Sequence, residues 1–260
     1  MRRNLSGCRV LLTGGSRGIG RATTEELLRR GAKVVICARH APLAAPPGVI
    51  LIPGDLTVAA DRERIVAEAA ERLGGLDLLI NNAGTCSFGE FSTSSEAVLR
   101  QIMEINFFAP AEMCRLCLPH LTATGKRPAI VNIASIVGKR GIPSFPEHSA
   151  SKFALVGLSE ALRCEFVRFG VDVLLVIPGL AKVDDFEKHL LRNEGKIFID
   201  WNNVQSAEAV AAGIVRAIER NKAETVIGWL ALQIYRLQNL WPAMLDSIMA
   251  RKVMKFDKKV

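Results

Sequence analysis

The chain has 260 residues, 49% of them hydrophobic and 23% charged, with a net charge of +8; this length suits one large α/β layer fold. The composition excludes a disordered, collagen-like or disulfide-stapled chain, and no apolar run reaches the roughly 18 residues of a membrane span. Met1-Arg2-Arg3-Asn4 leads into polar residues rather than the apolar core of a signal peptide, so a cytoplasmic location is expected, with membrane association left open.

The positive charge forms no Lys/Arg stripe interleaved with aromatics, so nucleic acid is not an expected partner. Cys8, Cys37, Cys86, Cys114, Cys117 and Cys164 are scattered through apolar segments and read as free thiols. Cys114 and Cys117 have redox or zinc spacing but no second pair, which favours core packing. His40, His120 and His189 each stand alone, and no metal site is expected.

From residue 8 to about 228, short β-branched runs alternate with longer helical stretches, the pattern of βαβ units around a parallel sheet. Strands are predicted at Val10–Leu12, Lys33–Ala38, Val49–Ile52, Leu76–Ile80, Ala129–Ile133, Val171–Ile177 and Thr225–Ile227. Helices are predicted near 18–30, 58–73, 95–123, 149–169 and 206–220. The expected fold is a single Rossmann-type, doubly wound parallel sheet of about seven strands with helices on both faces, over 1–228, with a substrate loop near 180–205. Residues 229–260 form a hydrophobic and basic helical extension, expected to pack on the same domain.

The first strand runs into Thr13-Gly14-Gly15-Ser16-Arg17-Gly18-Ile19-Gly20, and a helix follows. Gly14 permits a tight turn, Gly18 lets backbone N–H groups approach a pyrophosphate, and Gly20 allows close helix–strand packing. The second strand ends Ile36-Cys37-Ala38-Arg39, without the acidic residue that holds a ribose 2′-hydroxyl in NAD sites. Arg17 and Arg39 suit a 2′-phosphate instead, so NADP(H) is the expected cofactor.

The spacing of these glycines resembles that of the short-chain dehydrogenase/reductase family. Further along, Gly54-Asp55-Leu56-Thr57, Asn81-Asn82-Ala83-Gly84, Glu104-Ile105-Asn106, Val131-Asn132-Ile133-Ala134-Ser135, Ser149-Ala150-Ser151-Lys152 and Pro178-Gly179 match its motifs in order. The resemblance implies a cofactor site built from Gly14, Ser16, Arg17, Gly18, Ile19, Gly20, Arg39, Asp55, Leu56, Asn82, Ala83, Gly84, Lys152, Pro178, Gly179 and Val183. It implies catalytic positions at Ser135, His148, Lys152 and Asn106. Val183 stands where the family often has a threonine that contacts the nicotinamide carboxamide.

The main departure is at 148. The family places a proton-transferring tyrosine four residues before its lysine, and here that residue is His148, while the chain's one tyrosine is Tyr235. An imidazole differs from a phenol in acidity and reach, and Lys152 disfavours a second positive charge beside it, so His148 should be neutral. Three explanations stay open: a histidine working through water, a pocket without the usual turnover, and a deliberate replacement of the tyrosine.

Apolar residues near the carboxyl edge of the sheet include Cys86, Phe88, Ile142, Pro143, Phe145, Pro146, Phe186, Ile197, Phe198 and Trp201. They suggest a lipophilic alcohol or ketone as substrate. Asp184 and Asp185 read as loop or helix-start residues. Apolar positions left over on helices 95–123 and 149–169 suggest a homodimer or homotetramer. Residues 229–260 suit a helix over the pocket, a subunit interface or an anionic membrane surface. The expected function is NADP(H)-dependent interconversion of a hydrophobic secondary alcohol and its ketone. The alternative is a noncatalytic NADP(H)-binding sensor or scaffold.

Overall fold

The computed structural model describes residues 2–39, 46–124, 127–183, 186–194 and 204–257. Seven strands form one parallel sheet in the order β3-β2-β1-β4-β5-β6-β9. They are β1 (Arg9–Thr13), β2 (Lys33–Ala38), β3 (Ile50–Pro53), β4 (Leu78–Asn81), β5 (Ala129–Ile133), β6 (Asp172–Pro178) and β9 (Glu224–Ile227). A separate pairing joins β7 (Ala181–Lys182) to β8 (Gln205–Ser206).

The strand runs are nearly continuously apolar because both sheet faces are covered. Val10, Leu12, Val34, Ile36, Leu78 and Ile80 point to one face, under α1 (Gly18–Arg29) and α6 (Ala207–Glu219). Leu11, Val35, Cys37, Leu79 and Ile130 point to the other, under α2 (Ala59–Leu73) and α4 (Ala109–Thr122). Cys114 and Cys117 lie in that second core as free thiols, and burial pushes the Cys114 thiol up to about 12.

The stretch predicted as one helix over 95–123 is interrupted. It divides into α3 (Glu96–Met103), a π-helical turn at Glu104–Phe108, and α4. A wider turn of this kind re-aims side chains without ending the helix, and it occurs often at functional sites. The next helix, α5 (Pro146–Glu165), begins before the predicted 149 and so takes in His148. The C-terminal segment forms α7 (Trp229–Leu240) and α8 (Pro242–Asp257). Among the described residues no helix is long and apolar enough to cross a membrane.

Strands β3 to β6 are parallel, so their carboxyl ends lie along one edge. The strand order reverses direction between β1 and β4, which opens a crevice there.

Candidate functional site

The crevice is built by residues that leave the ends of β1 and β4. Gly14 has φ +69°, and a Cβ there would sit 2.8 Å from the Cα of Ala83. A Cβ on Gly20 would overlap the carbonyl oxygen of Gly14, so α1 starts in direct contact with the turn. Asn82 closes the junction: its side-chain amide donates to the carbonyls of Thr13 (3.0 Å) and Gly14 (3.1 Å). In return, Thr13 Oγ1 accepts from the backbone amides of Asn82 and Ala83, both at 3.0 Å.

At Gly18 the close neighbour is Val183, which a Cβ would meet at 2.7 Å. The loop beyond β7 therefore reaches across the glycine turn. Pro178 ends β6, and Gly179 donates its amide to the Ile227 carbonyl at 2.9 Å. Ser16 and Ile19 belong to the glycine turn and the first turn of α1. That helix has no side-chain cap and no acidic residue in its first turn, which leaves its N-terminal amides available to an anion.

Arg17 is the last residue of the turn before α1, and Arg39 follows the end of β2. Burial, and then the charge of Arg39, lower the Arg17 pKa. Neither has a hydrogen-bond or ion-pair partner among the described residues. Asp55 holds the turn after β3, its Oδ1 accepting from the Thr57 amide and hydroxyl at 2.9 Å. Beside it, Leu56 packs against the core under α2.

Ser135 follows β5 and caps a short 3-10 turn at Ile136–Gly138, where its Oγ accepts from the Val137 amide at 3.4 Å. Its own hydrogen remains to donate. Gly138 lies against Lys152, whose carbonyl a Cβ would meet at 2.7 Å. Lys152 is 5% exposed, and its Nζ donates to the Ile133 carbonyl at 2.9 Å. Burial lowers its pKa to about 8.

The π turn brings Asn106 inward, to 1% exposure. There it pairs reciprocally with the backbone of Thr85: Oδ1 accepts from the amide at 2.9 Å and Nδ2 donates to the carbonyl at 2.8 Å. The second hydrogen of Nδ2 goes to Ser151 Oγ at 2.9 Å. A Cβ on Gly84 would stand 3.1 Å from Asn106 Oδ1 and 3.7 Å from Lys152 Nζ. Glycine at 84 therefore lets the chain pass close to both groups.

His148 Nδ1 lies 3.2 Å from the Thr85 carbonyl and 3.3 Å from Asn106 Nδ2. The carbonyl can only accept, and both Asn106 hydrogens are already committed, so Nδ1 carries the proton and Nε2 the lone pair. Burial first, then the charge of Lys152, lowers the His148 pKa to about 3, against a smaller opposing effect of the Thr85 carbonyl. At neutral pH this imidazole is uncharged.

Motif reading passed over the partners of this group. Thr85 acts through its backbone, and Ser151, inside the Ser-Ala-Ser-Lys motif, bridges Asn106 and the His148 carbonyl. Glu147, 1% exposed, accepts from Ser87 Oγ at 2.8 Å. Burial would raise its carboxyl, but the neighbouring Ser94 hydroxyl, its own backbone amide, the Ser87 bond and the charge of Arg192 hold it below the usual range. Arg192 belongs to a segment whose backbone bonds Cys86 and Phe88, at 2.9 Å from Leu191 to Cys86 and 2.8 Å from Phe88 to Arg192. The spacing of the two charges in the chain carries no signal of this approach.

Phe88 and Phe145 pack edge to face at 5.1 Å, and Ile142 joins a third core with Ile136, Val137 and Ala231. His40, Asp184, Asp185, Ile197, Phe198 and Trp201 lie outside the described residues.

The pattern of the family described as short chain dehydrogenase matches residues 9–194. Ketoacyl reductase HetN of Nostoc sp. is 33% identical over 232 residues, 86% of this chain and 79% of the relative. The 11-beta-hydroxysteroid dehydrogenase-like 4A protein of Arabidopsis thaliana is 33% identical over 229 residues, 82% of this chain and 74% of the relative. Among solved structures, a short chain dehydrogenase from Burkholderia cenocepacia in complex with NADP superposes with a TM-score of 0.82. It is 26% identical, and the match covers 95% of this chain and 99% of that one.

Proposed function

The chain belongs to the short chain dehydrogenase family, and from that premise we propose an NADP(H)-dependent oxidoreductase that interconverts a hydrophobic secondary alcohol and its ketone. The observation that carries this reading is the convergence of Gly84, Asn106 and a buried Lys152 at the crevice between β1 and β4. The catalytic unit is 1–228, with 229–260 packed on it.

The glycine turn, Asn82, Ala83 and Gly179 would hold the dinucleotide, with α1 amides on its pyrophosphate and Arg17 and Arg39 on a 2′-phosphate. The fit rests on the uncapped α1 and on two guanidinium groups without acidic partners among the described residues, one of which feels the charge of the other. The NADP complex of the Burkholderia cenocepacia structure supports the same choice. Bound there, NADP(H) supplies or accepts the hydride. Val183, lacking the hydroxyl of a threonine, offers the nicotinamide side only packing.

Ser135 donates its hydroxyl hydrogen to the substrate oxygen, while its oxygen accepts from the Val137 amide. His148 takes the position of the family's tyrosine, as a neutral group with an Nε2 lone pair: a weak base for alcohol oxidation and no acid for ketone reduction. Lys152, at about 8, is the group whose acidity suits proton supply near neutrality, through water. The aromatic pair Phe88 and Phe145 and the apolar residues beside it favour a lipophilic substrate.

The second reading, a noncatalytic NADP(H)-binding protein, is favoured by the same neutral His148, whose one N–H is held by the Thr85 carbonyl. Turnover of a panel of lipophilic ketones and alcohols by the protein and by His148→Tyr, with NADPH affinity measured on both, separates the two. No turnover in either form despite tight NADPH binding overturns the oxidoreductase.

A further inference from the structure

The outward faces of α7 and α8 carry apolar side chains that the fold leaves uncovered. Trp229 is 75% exposed, and Leu240 (65%) and Trp241 (60%) meet at the corner between the helices. Met244, Ile248 and Met254 continue the exposed set along α8. These are not displaced core residues, because each helix already buries another face. On α7, Ala231 is buried and Ile234 and Tyr235 pack beside Ile136 and Val137, while on α8 Leu245 is buried. Apolar surface beyond what folding uses marks a contact site.

The charge around this surface is mostly positive. Residues 229–260 hold six Lys and Arg against two Asp. One of those acids, Asp246, is bonded to Arg140 at 2.6 Å. Arg236 and Arg251 are exposed beside the apolar residues, with no ion-pair partner among the described residues. A second copy docking here through a two-fold axis would set these cations against themselves. An anionic surface with an apolar interior fits both features.

We infer that the α7–α8 face docks on an anionic lipid bilayer, with Trp229, Leu240 and Trp241 at the headgroup boundary and Arg236 and Arg251 on lipid phosphates. The docked unit is joined to the site: α7 packs on the turn that follows Ser135, and Arg140 donates to Gln238 at 3.1 Å as well as to Asp246. If the oxidoreductase reading holds, this attachment lets a lipophilic substrate pass from the bilayer to the pocket; the docking itself does not depend on that reading.

The test is sedimentation of the full chain with vesicles of phosphatidylglycerol and phosphatidylcholine, beside vesicles of phosphatidylcholine alone, at low and high salt. Binding is expected only to the anionic vesicles, weakening with salt, with a blue shift of tryptophan emission. Arg236→Gln and Arg251→Gln should each weaken it about fivefold, and the double variant Trp229→Glu, Trp241→Glu should lower it more than tenfold. NADPH titration of each variant checks that the fold is kept. Absence of binding at low salt, or binding unchanged in the double Glu variant, overturns the inference. So does a fall in mass by light scattering in that variant, which would identify a subunit contact instead. No readout uses turnover, so a protein that binds vesicles but converts no substrate refutes the oxidoreductase reading alone.

Discussion

Replacing His148 by tyrosine should create a proton donor where the present side chain cannot act as one. With a pKa of about 3, His148 is protonated in only about 1 molecule in 10⁴ at pH 7. A phenol, with an ordinary pKa near 10, is fully protonated there and reaches farther from the backbone. General acid catalysis is worth about 10² to 10⁴-fold, so His148→Tyr should raise ketone reduction at pH 7 by about that factor. NADPH affinity should change less than about twofold, because the glycine turn, Arg17 and Arg39 are untouched. The assay is loss of NADPH absorbance with ketones of several sizes, and Ser135→Ala in the His148→Tyr background should lower the rate again. In the unaltered protein, reduction should show no step near pH 6.5 and should decline as pH rises through about 8, where Lys152 loses its proton. A step near pH 6.5 together with no gain in His148→Tyr would refute the reasoning, since it would mean an ordinary, solvated imidazole doing the proton transfer.

Arg39→Ala should weaken NADPH binding about tenfold and leave NADH nearly unchanged, since the proposed contact to a 2′-phosphate would be charge-assisted but exposed; fluorescence titration of both cofactors checks it. Phe108 and Phe153 are 50% and 45% exposed on the helices expected to carry a subunit contact, so Phe153→Glu should shift a homodimer or homotetramer to a smaller species in light scattering. Arg192→Ala removes a positive charge that favours the Glu147 carboxylate, and the bonds to Thr93 and Glu194; it should lower stability by about 1 kcal/mol, read by urea unfolding, with faster proteolysis in the 186–194 segment. Below pH 6.5 the unfolded chain binds a proton at residue 148 that the folded chain refuses until about pH 3. Stability should therefore fall as pH drops through that window, by at most about 1.4 kcal/mol per unit, and His148→Gln should flatten the loss in urea titrations.

The sheet was readable because a strand covered on both faces leaves an uninterrupted apolar run, and β2 and β5 have the same limits in sequence and structure. The break at Glu104–Phe108 was not, because a π turn adds backbone width without changing which residues are apolar. Glycine positions were readable for the same reason they exist: Gly14 and Gly20 sit where a Cβ has no room. The purpose of Gly18 was only half visible. Its close neighbour is the side chain of Val183, which only the folded chain brings across the turn.

The state of residue 148 depends on atoms that no motif contains. A sequence shows an imidazole in place of a phenol, and Lys152 four residues on argues for neutrality. The tautomer, however, follows from a count of hydrogens around Asn106. Its Oδ1 is fixed by the Thr85 amide, so its Nδ2 must face the Thr85 carbonyl and Ser151, and no hydrogen is left for His148. Thr85 takes part only through backbone atoms, which any residue at 85 would provide, so side-chain identity there carries no message. The consequence is specific: Asn106→Asp would remove both donated hydrogens and place a carboxylate within reach of Nδ1–H. That change should raise the His148 pKa from about 3 toward its ordinary value, while leaving the imidazole in the same tautomer. NMR titration of the His148 ring should then show a midpoint at least one pH unit higher. An unchanged midpoint would mean that burial and the charge of Lys152 set the charge state and that Asn106 serves only to hold the loop at Thr85.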